Sequence, residues 1–251
     1  MAVNAGRVLV VLDIDGTLLH SVAAHVAAFW DALAEVGVVA DDAGSSGFLH
    51  HTDSWIFREL FHWQHARAPD TAEFAVFAAA LSRAFTAASH DLPQVAGAAA
   101  FLRRLDASPD HTVVFATGGL REVTTVKLAG LAPDAPADLV VTASDHTFRE
   151  HIVREAIRRG STAGTFGRVI SIGDGPWDVR AAVATGSEFI GVGATSAAFG
   201  DWFPATHLIS SFDEVDLTRD YTLSPPPGAV PAAPEDAEGL GSTAVECHCW
   251  T

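Results

Sequence analysis

Val8-Leu9-Val10-Val11-Leu12-Asp13-Ile14-Asp15-Gly16-Thr17 joins an unbroken apolar run to a pair of acidic residues. Its apolar, branched run shows no alternation, which is the pattern of a strand buried on both faces in a parallel sheet. Two carboxylates two residues apart close it, followed by Gly-Thr. Strand side chains at i and i+2 point the same way, so Asp13 and Asp15 are expected to emerge together at the carboxyl end of the strand. Open α/β sheets place their ligands there. Paired carboxylates are costly at such a place without a cation, a shared proton or a catalytic task. An Asx-type turn after a buried strand is the bland alternative.

Outward from this strand, Ser21 to about Gly37 carries apolar residues at Val22, Val26, Phe29, Leu33 and Val36, a helical stripe. Residues 41–47 read as a polar loop. A second helix is expected from Asp53 as N-cap, with Ile56, Phe57, Leu60 and Phe61 inward. A third starts at Asp70, which has Glu73 at capping-box spacing, and continues through Phe74, Phe77, Leu81 and Phe85. Residues 20–92 thus read as a helical module inserted after the first strand.

The strand signal returns beyond Pro93. A helix is expected over Val95–Leu105, a strand over Thr112–Ala116 ending in Thr117-Gly118-Gly119, and a helix from Leu120 to Leu128. A strand over Leu139–Thr142 and a helix over Phe148–Arg159, with Gly160 just beyond it, follow. Next come a strand over Val169–Ile172 ending in Gly173-Asp174-Gly175-Pro176-Trp177-Asp178 and a helix over Trp177–Thr185. Phe189–Val192 and a short His207–Ile209 complete the strands. Strands alternating with helices through short loops define an α/β, doubly wound parallel sheet. The expected division is a core of residues 1–19 and 93–221, a helical unit of 20–92, and a disordered Pro/Ala/Gly-rich tail of 222–251.

The net charge of −16 argues against nucleic acid and anionic membranes as partners, because both need a basic surface. No apolar stretch approaches the length of a membrane span. The N-terminal apolar run is short and interrupted by Asp13, unlike a signal peptide. Both cysteines fall within the last five residues, so no disulfide framework is implied, and a cytoplasmic location is expected. The Cys247-His248-Cys249 tail lacks a fourth metal ligand and is read as a disordered end.

Three strand ends on one rim carry chemically suggestive residues: Asp13/Asp15, Thr117, and Asp174/Asp178. Asp13-x-Asp15-x-Thr17, Thr117 after an apolar strand, and Gly173-Asp174-x-x-x-Asp178 resemble motifs I, II and IV of the haloacid dehalogenase-like (HAD) phosphohydrolases, over about residues 7–212. The resemblance implies a Rossmann-like core with a helical C1 cap inserted after the first strand. It implies a Mg²⁺-dependent phosphatase of small phosphomonoesters, with a small phosphorylated metabolite as its partner. Mg²⁺ would be held by Asp13 and Asp174, by the Asp15 backbone carbonyl, and with Asp178 in support. Asp13 would be the nucleophile that becomes an aspartyl-phosphate, and Asp15 the general acid and base. Thr117, Gly118 and Gly119 would hold the phosphoryl oxygens.

The family's third motif is a Lys or, less often, an Arg before the fourth strand; Arg149 is the best match. Lys127, the chain's only lysine, is the competitor and is expected to pack or pair at the domain surface. The Thr-Gly…Lys-Leu setting of Lys127 and the His50-His51-Thr52-Asp53 loop resemble the phosphoglycolate phosphatase-like branch, with His50 replacing its usual Gly. His50, His51, Thr52 and Arg58 are the candidate specificity residues, and Trp55, Trp63 and the Phe stripe are expected to be cap core. The competing readings are a phosphoglucomutase-like phosphotransferase and a non-catalytic, phosphate-binding regulatory module. Asp15 counts against dehalogenation, since a halide leaving group needs no proton.

Overall fold

The computed structural model describes residues 6–39, 48, 50–89 and 92–230. The expected loop at 41–47 and most of the expected tail, including Cys247 and Cys249, lie outside the described residues. Residues 222–230 carry neither helix nor strand.

Six parallel strands form one sheet: β1 (Val8–Leu12), β2 (His111–Ala116), β3 (Val140–Val141), β4 (Arg168–Gly173), β5 (Glu188–Val192) and β6 (Leu208–Ile209). Their order is β3-β2-β1-β4-β5-β6. The chain starts in the middle, winds outward through β2 and β3, then returns to the other side of β1 and winds outward again. The reversal opens a crevice at the carboxyl ends of β1 and its neighbours. Every residue of β1 is buried. Leu9 and Val11 join one apolar cluster, and Val8, Val10 and Leu12 join the cluster on the opposite face. The unalternating run is therefore explained by two covered faces.

Among the described residues, seven α-helices accompany the sheet. Three of them, α1 (Val22–Glu35), α2 (Asp53–His65) and α3 (Thr71–Ala88), lie between β1 and α4 (Ala98–Asp106) in the chain. The chain leaves and re-enters the core side by side: the His20 N–H donates to the Pro93 carbonyl (2.8 Å) and the Val95 N–H to that of Leu18 (2.9 Å). Within the three helices, Phe57 stacks on Phe77 with ring centroids 4.1 Å apart, and Phe29 meets Phe77 edge-on. The expected capping box of Asp70 and Glu73 is formed. The remaining helices are α5 (Arg121–Ala129), α6 (Arg149–Gly160) and α7 (Pro176–Thr185).

Three local expectations are corrected. Thr52, not Asp53, caps α2, its hydroxyl accepting from the Trp55 N–H, which leaves the Asp53 carboxylate for other work. Helix α4 begins at Ala98 because Gly97, at φ 77°, breaks the helical path before it. Gly160 lies inside α6, where a Cβ would come within 2.6 Å of the Leu9 side chain: the helix sits that close to β1. Among the described residues no helix is long and apolar enough to cross a membrane.

Candidate active site

Register fixes the first layer of the site. Leu12 is level with Phe115 of β2 and Ile172 of β4, so Asp13, Thr117 and Asp174 leave three adjacent strands at nearly one height. The Asp13 N–H extends the ladder to the Ile172 carbonyl (3.0 Å), and the Thr117 N–H to that of Val141 (3.0 Å). Gly16, at φ 77°, turns the chain away after Asp15. A Cβ there would lie 2.0 Å from an Asp174 carboxylate oxygen, so only glycine allows motif I and Asp174 to approach so closely.

Asp13, Asp174 and Asp178 bring carboxylate oxygens within 4.8 Å of one another. Arg149, from the first turn of α6, is buried among them. Its Nη2 donates to Asp13 and to Asp178 Oδ1 (2.6 Å), and its Nε to the same Asp178 oxygen (3.0 Å). The other Asp178 oxygen accepts from the Gly175 N–H (3.2 Å). Asp178 is thus turned toward Arg149 and the loop. The Thr17 hydroxyl lies 3.4 Å from Asp13 Oδ2 and 3.3 Å from Asp174 Oδ1, between the two remaining carboxylates.

Electrostatics separate the two motif I carboxylates. Burial pushes Asp13 up to about 7, against the pull of Arg149 and with added repulsion from Asp178 and Asp15. Burial and the repulsion of Asp13 and Asp178 likewise raise Asp174 well above the ordinary carboxylate range. Asp15 goes the other way. Burial alone would raise it, but Lys127 and, more weakly, His25 outweigh that and hold it at about 2. The Asp15 side chain is gripped by Lys127 Nζ (2.6 Å) and the Ser21 hydroxyl, outside the acidic trio.

Lys127 is therefore not at the surface. It is buried, with its ammonium 5.0 Å from the centroid of the Phe85 ring of α3, and it also donates to His25 Nδ1 (2.9 Å). With Nδ1 accepting, the ring proton sits on Nε2, which donates to Asp53 Oδ1 (2.7 Å). Asp53 Oδ2 accepts from the Leu120 N–H (2.8 Å), and the Asp53 N–H donates to the Gly118 carbonyl (2.8 Å). One connected line thus runs from Asp15 through Lys127, His25 and Asp53 to the loop after β2. The residue types gave no hint of it, because its members are far apart in the chain and only the docking of α1 and α2 joins them.

The other expected residues divide. Thr117 is buried, and its hydroxyl accepts from the Gly119 N–H (3.2 Å), so that N–H turns back into the loop. His51, Thr52, Gly118 and Gly119 line a cavity of about 480 Å³ together with Asp13, Asp15, Arg149 and Asp174. The His51 ring stacks on Trp177 with centroids 3.9 Å apart. Burial, with Arg180 and Arg149 nearby, takes its imidazole down to about 3, so it is neutral at physiological pH. The Thr52 hydroxyl donates to the Thr147 carbonyl (2.6 Å). Two specificity candidates do not reach the cavity. His50 is fully buried between Trp55 and Phe148 and faces Glu150 at 3.3 Å. The Arg58 guanidinium lies over the Phe74 ring, 5.1 Å from its centroid.

The chain belongs to the haloacid dehalogenase-like hydrolases: the model of that family matches residues 8–186. No curated protein matches it. Among solved structures, a hydrolase from Pseudomonas syringae is 20% identical, with a TM-score of 0.61, covering 76% of this chain and 88% of its own. CbbY from Rhodobacter sphaeroides in complex with phosphate is 19% identical, with a TM-score of 0.58, covering 81% and 94%. A mutant form of CbbY in complex with xylulose-(1,5)bisphosphate gives 19% and 0.57 over the same shares. At these identities the likeness speaks for the fold.

Proposed function

We propose that this hydrolase is a phosphatase of small phosphomonoesters that works through an aspartyl-phosphate on Asp13 and uses Mg²⁺, with residues 20–92 acting as a C1 cap over a core of 1–19 and 93–221. One observation carries the reading: two carboxylates two residues apart have separate partners, Asp13 beside Arg149 within the acidic trio and Asp15 gripped by Lys127 and Ser21 outside it. Such separation suits a nucleophile beside the metal-ligand set and a proton shuttle off it.

The donor set fits a hard divalent cation. Its members are carboxylate oxygens within 4.8 Å of one another, and two of the three carboxyls are raised by burial and mutual repulsion, a cost that a dication removes. Asp13, Asp174 and the Asp15 backbone carbonyl would hold it, with Asp178 in support through its hold on Arg149. Bound Mg²⁺ supplies positive charge that lowers the carboxyl pKa values and offsets repulsion between the nucleophile and the phosphate.

The chain's own groups do the rest. Arg149 fixes one Asp13 oxygen and leaves the other to attack phosphorus. As the phosphorus–oxygen bond to the leaving group breaks, Asp15 gives its proton to the departing oxygen. Asp15 then takes a proton from the water that attacks the aspartyl-phosphate, which releases phosphate and restores the Asp13 carboxylate. In the ion pair with Lys127, Asp15 is in the base form of the second half; the first half requires its carboxyl to part from Lys127. The Thr117 hydroxyl and the Gly118 N–H would hold the phosphoryl oxygens. Release of nitrophenolate from p-nitrophenyl phosphate in the presence of Mg²⁺ should fall to background with EDTA. Equal rates with and without the chelator would overturn the metal-dependent reading.

A further inference from the structure

We propose that the substrate is the monophosphate of an apolar, uncharged alcohol or phenol, a class narrower than phosphorylated metabolites at large and distinct from phospho-acids and bisphosphates. This rests on the phosphatase reading above and concerns the apolar part of the cavity lining.

That lining includes Val22, Val26, Phe29, Trp30, Phe48 and Ile56. Helix α1 supplies four of these from one stripe, with Phe48 ahead of α2 and Ile56 of α2 adding one each. The stripe has two functions. Phe29 and Leu33 belong to the packed core, whereas Val22 and Val26 line the cavity without belonging to any core cluster. Half-buried valines that face a cavity present apolar surface to whatever fills it, and covering that surface favours an apolar occupant.

Charge makes the same selection. A second anionic group on the substrate needs a cation to replace its hydration, and a buried anion without one is strongly disfavoured. Among the described residues, Arg149 is the only Lys or Arg in the cavity lining, and it is already shared between Asp13 and Asp178. The neighbouring cations are also matched: Lys127 by Asp15, and Arg180 by Glu150. His25 is bonded to Asp53 and accepts from Lys127, and Arg58 lies over Phe74 instead of facing the cavity. The sequence around Phe48 adds nothing positive, since residues 40–47 and Leu49 include no Lys, Arg or His, while Asp41 and Asp42 are acidic. Among the described residues, the lining thus keeps no unmatched Lys or Arg for a carboxylate or a second phosphate.

The test compares matched substrates on the Mg²⁺-loaded protein: phenyl phosphate against 4-carboxyphenyl phosphate, and butyl phosphate against 2-phosphoglycolate. Acetyl phosphate, with its small leaving group, is a separate arm for the chemistry. The apolar member of each pair should have a kcat/KM at least about a hundredfold higher, the scale on which unpaired buried groups discriminate. The carboxylated phenol is the better leaving group, so intrinsic reactivity works against this result. Val26→Arg, at a half-buried position outside the core, should shrink or invert both ratios. Hydrolysis of acetyl phosphate with equal or reversed ratios in the wild type would overturn the substrate inference and leave the phosphatase reading standing. Failure to hydrolyse any of the five compounds would overturn both.

Discussion

At the scale of single residues, the site turns on which cation touches which motif I carboxylate. Arg149 contacts Asp13 and Asp178, and Lys127 contacts Asp15, so both sit in the site, in different places. Arg149→Ala leaves buried carboxylates uncompensated beside Asp13, the proposed nucleophile, and should lower kcat/KM by roughly a thousandfold. Lys127→Met should lose less, on the order of tenfold to a hundredfold. It should also move the acid limb of the kcat–pH profile upward, because Asp15 without its ammonium regains a higher pKa and loses its base form earlier as pH falls. Steady-state kinetics across pH check both. Motif order pointed to Arg149, which the structure sets against Asp13 and Asp178. Sequence position misplaced Lys127, since two helical turns beyond a loop says nothing of whether α3 and α1 cover the lysine. A second buried group makes a stability prediction. Burial would raise the Glu150 carboxyl, but His50 and Arg180 outweigh it and bring it from 4.5 down to about 2. A lowered carboxylate contributes stability above its unfolded pKa and loses it as pH falls through the window from 4.5 toward 2. Glu150→Gln should therefore cost roughly 2–3 kcal/mol near pH 7 by denaturant melts. The gap from wild type should narrow as pH falls through that window.

At the scale of elements, β1, β2 and β4 set the height of the reacting groups, and the N-terminus of α2 closes on them. The contact is tight at Gly118, where a Cβ would lie 2.2 Å from the His51 carbonyl oxygen. Gly118→Ala must therefore displace the start of α2, because the obstacle is backbone. It should reduce turnover by about tenfold to a hundredfold while the circular dichroism spectrum stays that of a folded chain, since misplacement by a fraction of an ångström suffices to spoil alignment. Most elements were legible in the sequence. The strands carried β-branched runs, α3 carried its capping box, and Gly186 ended α7 in the left-handed conformation. What periodicity left unread was the use of each face. Val22, Val26 and Phe29 share one spacing and all line the cavity, yet only Phe29 also belongs to the packed core. A period records that a face is apolar, not what covers it. Thr52 and Asp53 show the same limit. Either could cap α2, and the choice fell to Thr52 because the Leu120 N–H and His25 engage the Asp53 carboxylate.

At the scale of the whole molecule, the fold solves a charge problem. A strongly acidic chain gathers several carboxylates at the switch point of its sheet and keeps them there with two buried cations, Arg149 and Lys127. The strand ends were readable because chemistry at a parallel sheet's carboxyl rim recurs at fixed places in the chain order. The apolar wall, the line from Asp15 to Leu120, and the exclusion of His50 and Arg58 from the cavity were not, because each depends on how α1 and α2 dock. A nucleophilic Asp13 must itself become phosphorylated during turnover. Rapid acid quenching of the Mg²⁺-loaded protein during turnover of phenyl phosphate, followed by peptide mass spectrometry, would trap that adduct. A phosphoryl group is expected on the peptide carrying Asp13 and not in Asp13→Asn, whose phosphate release should fall to background. Undiminished phosphate release by Asp13→Asn, or an adduct on a different residue in the wild type, would contradict it.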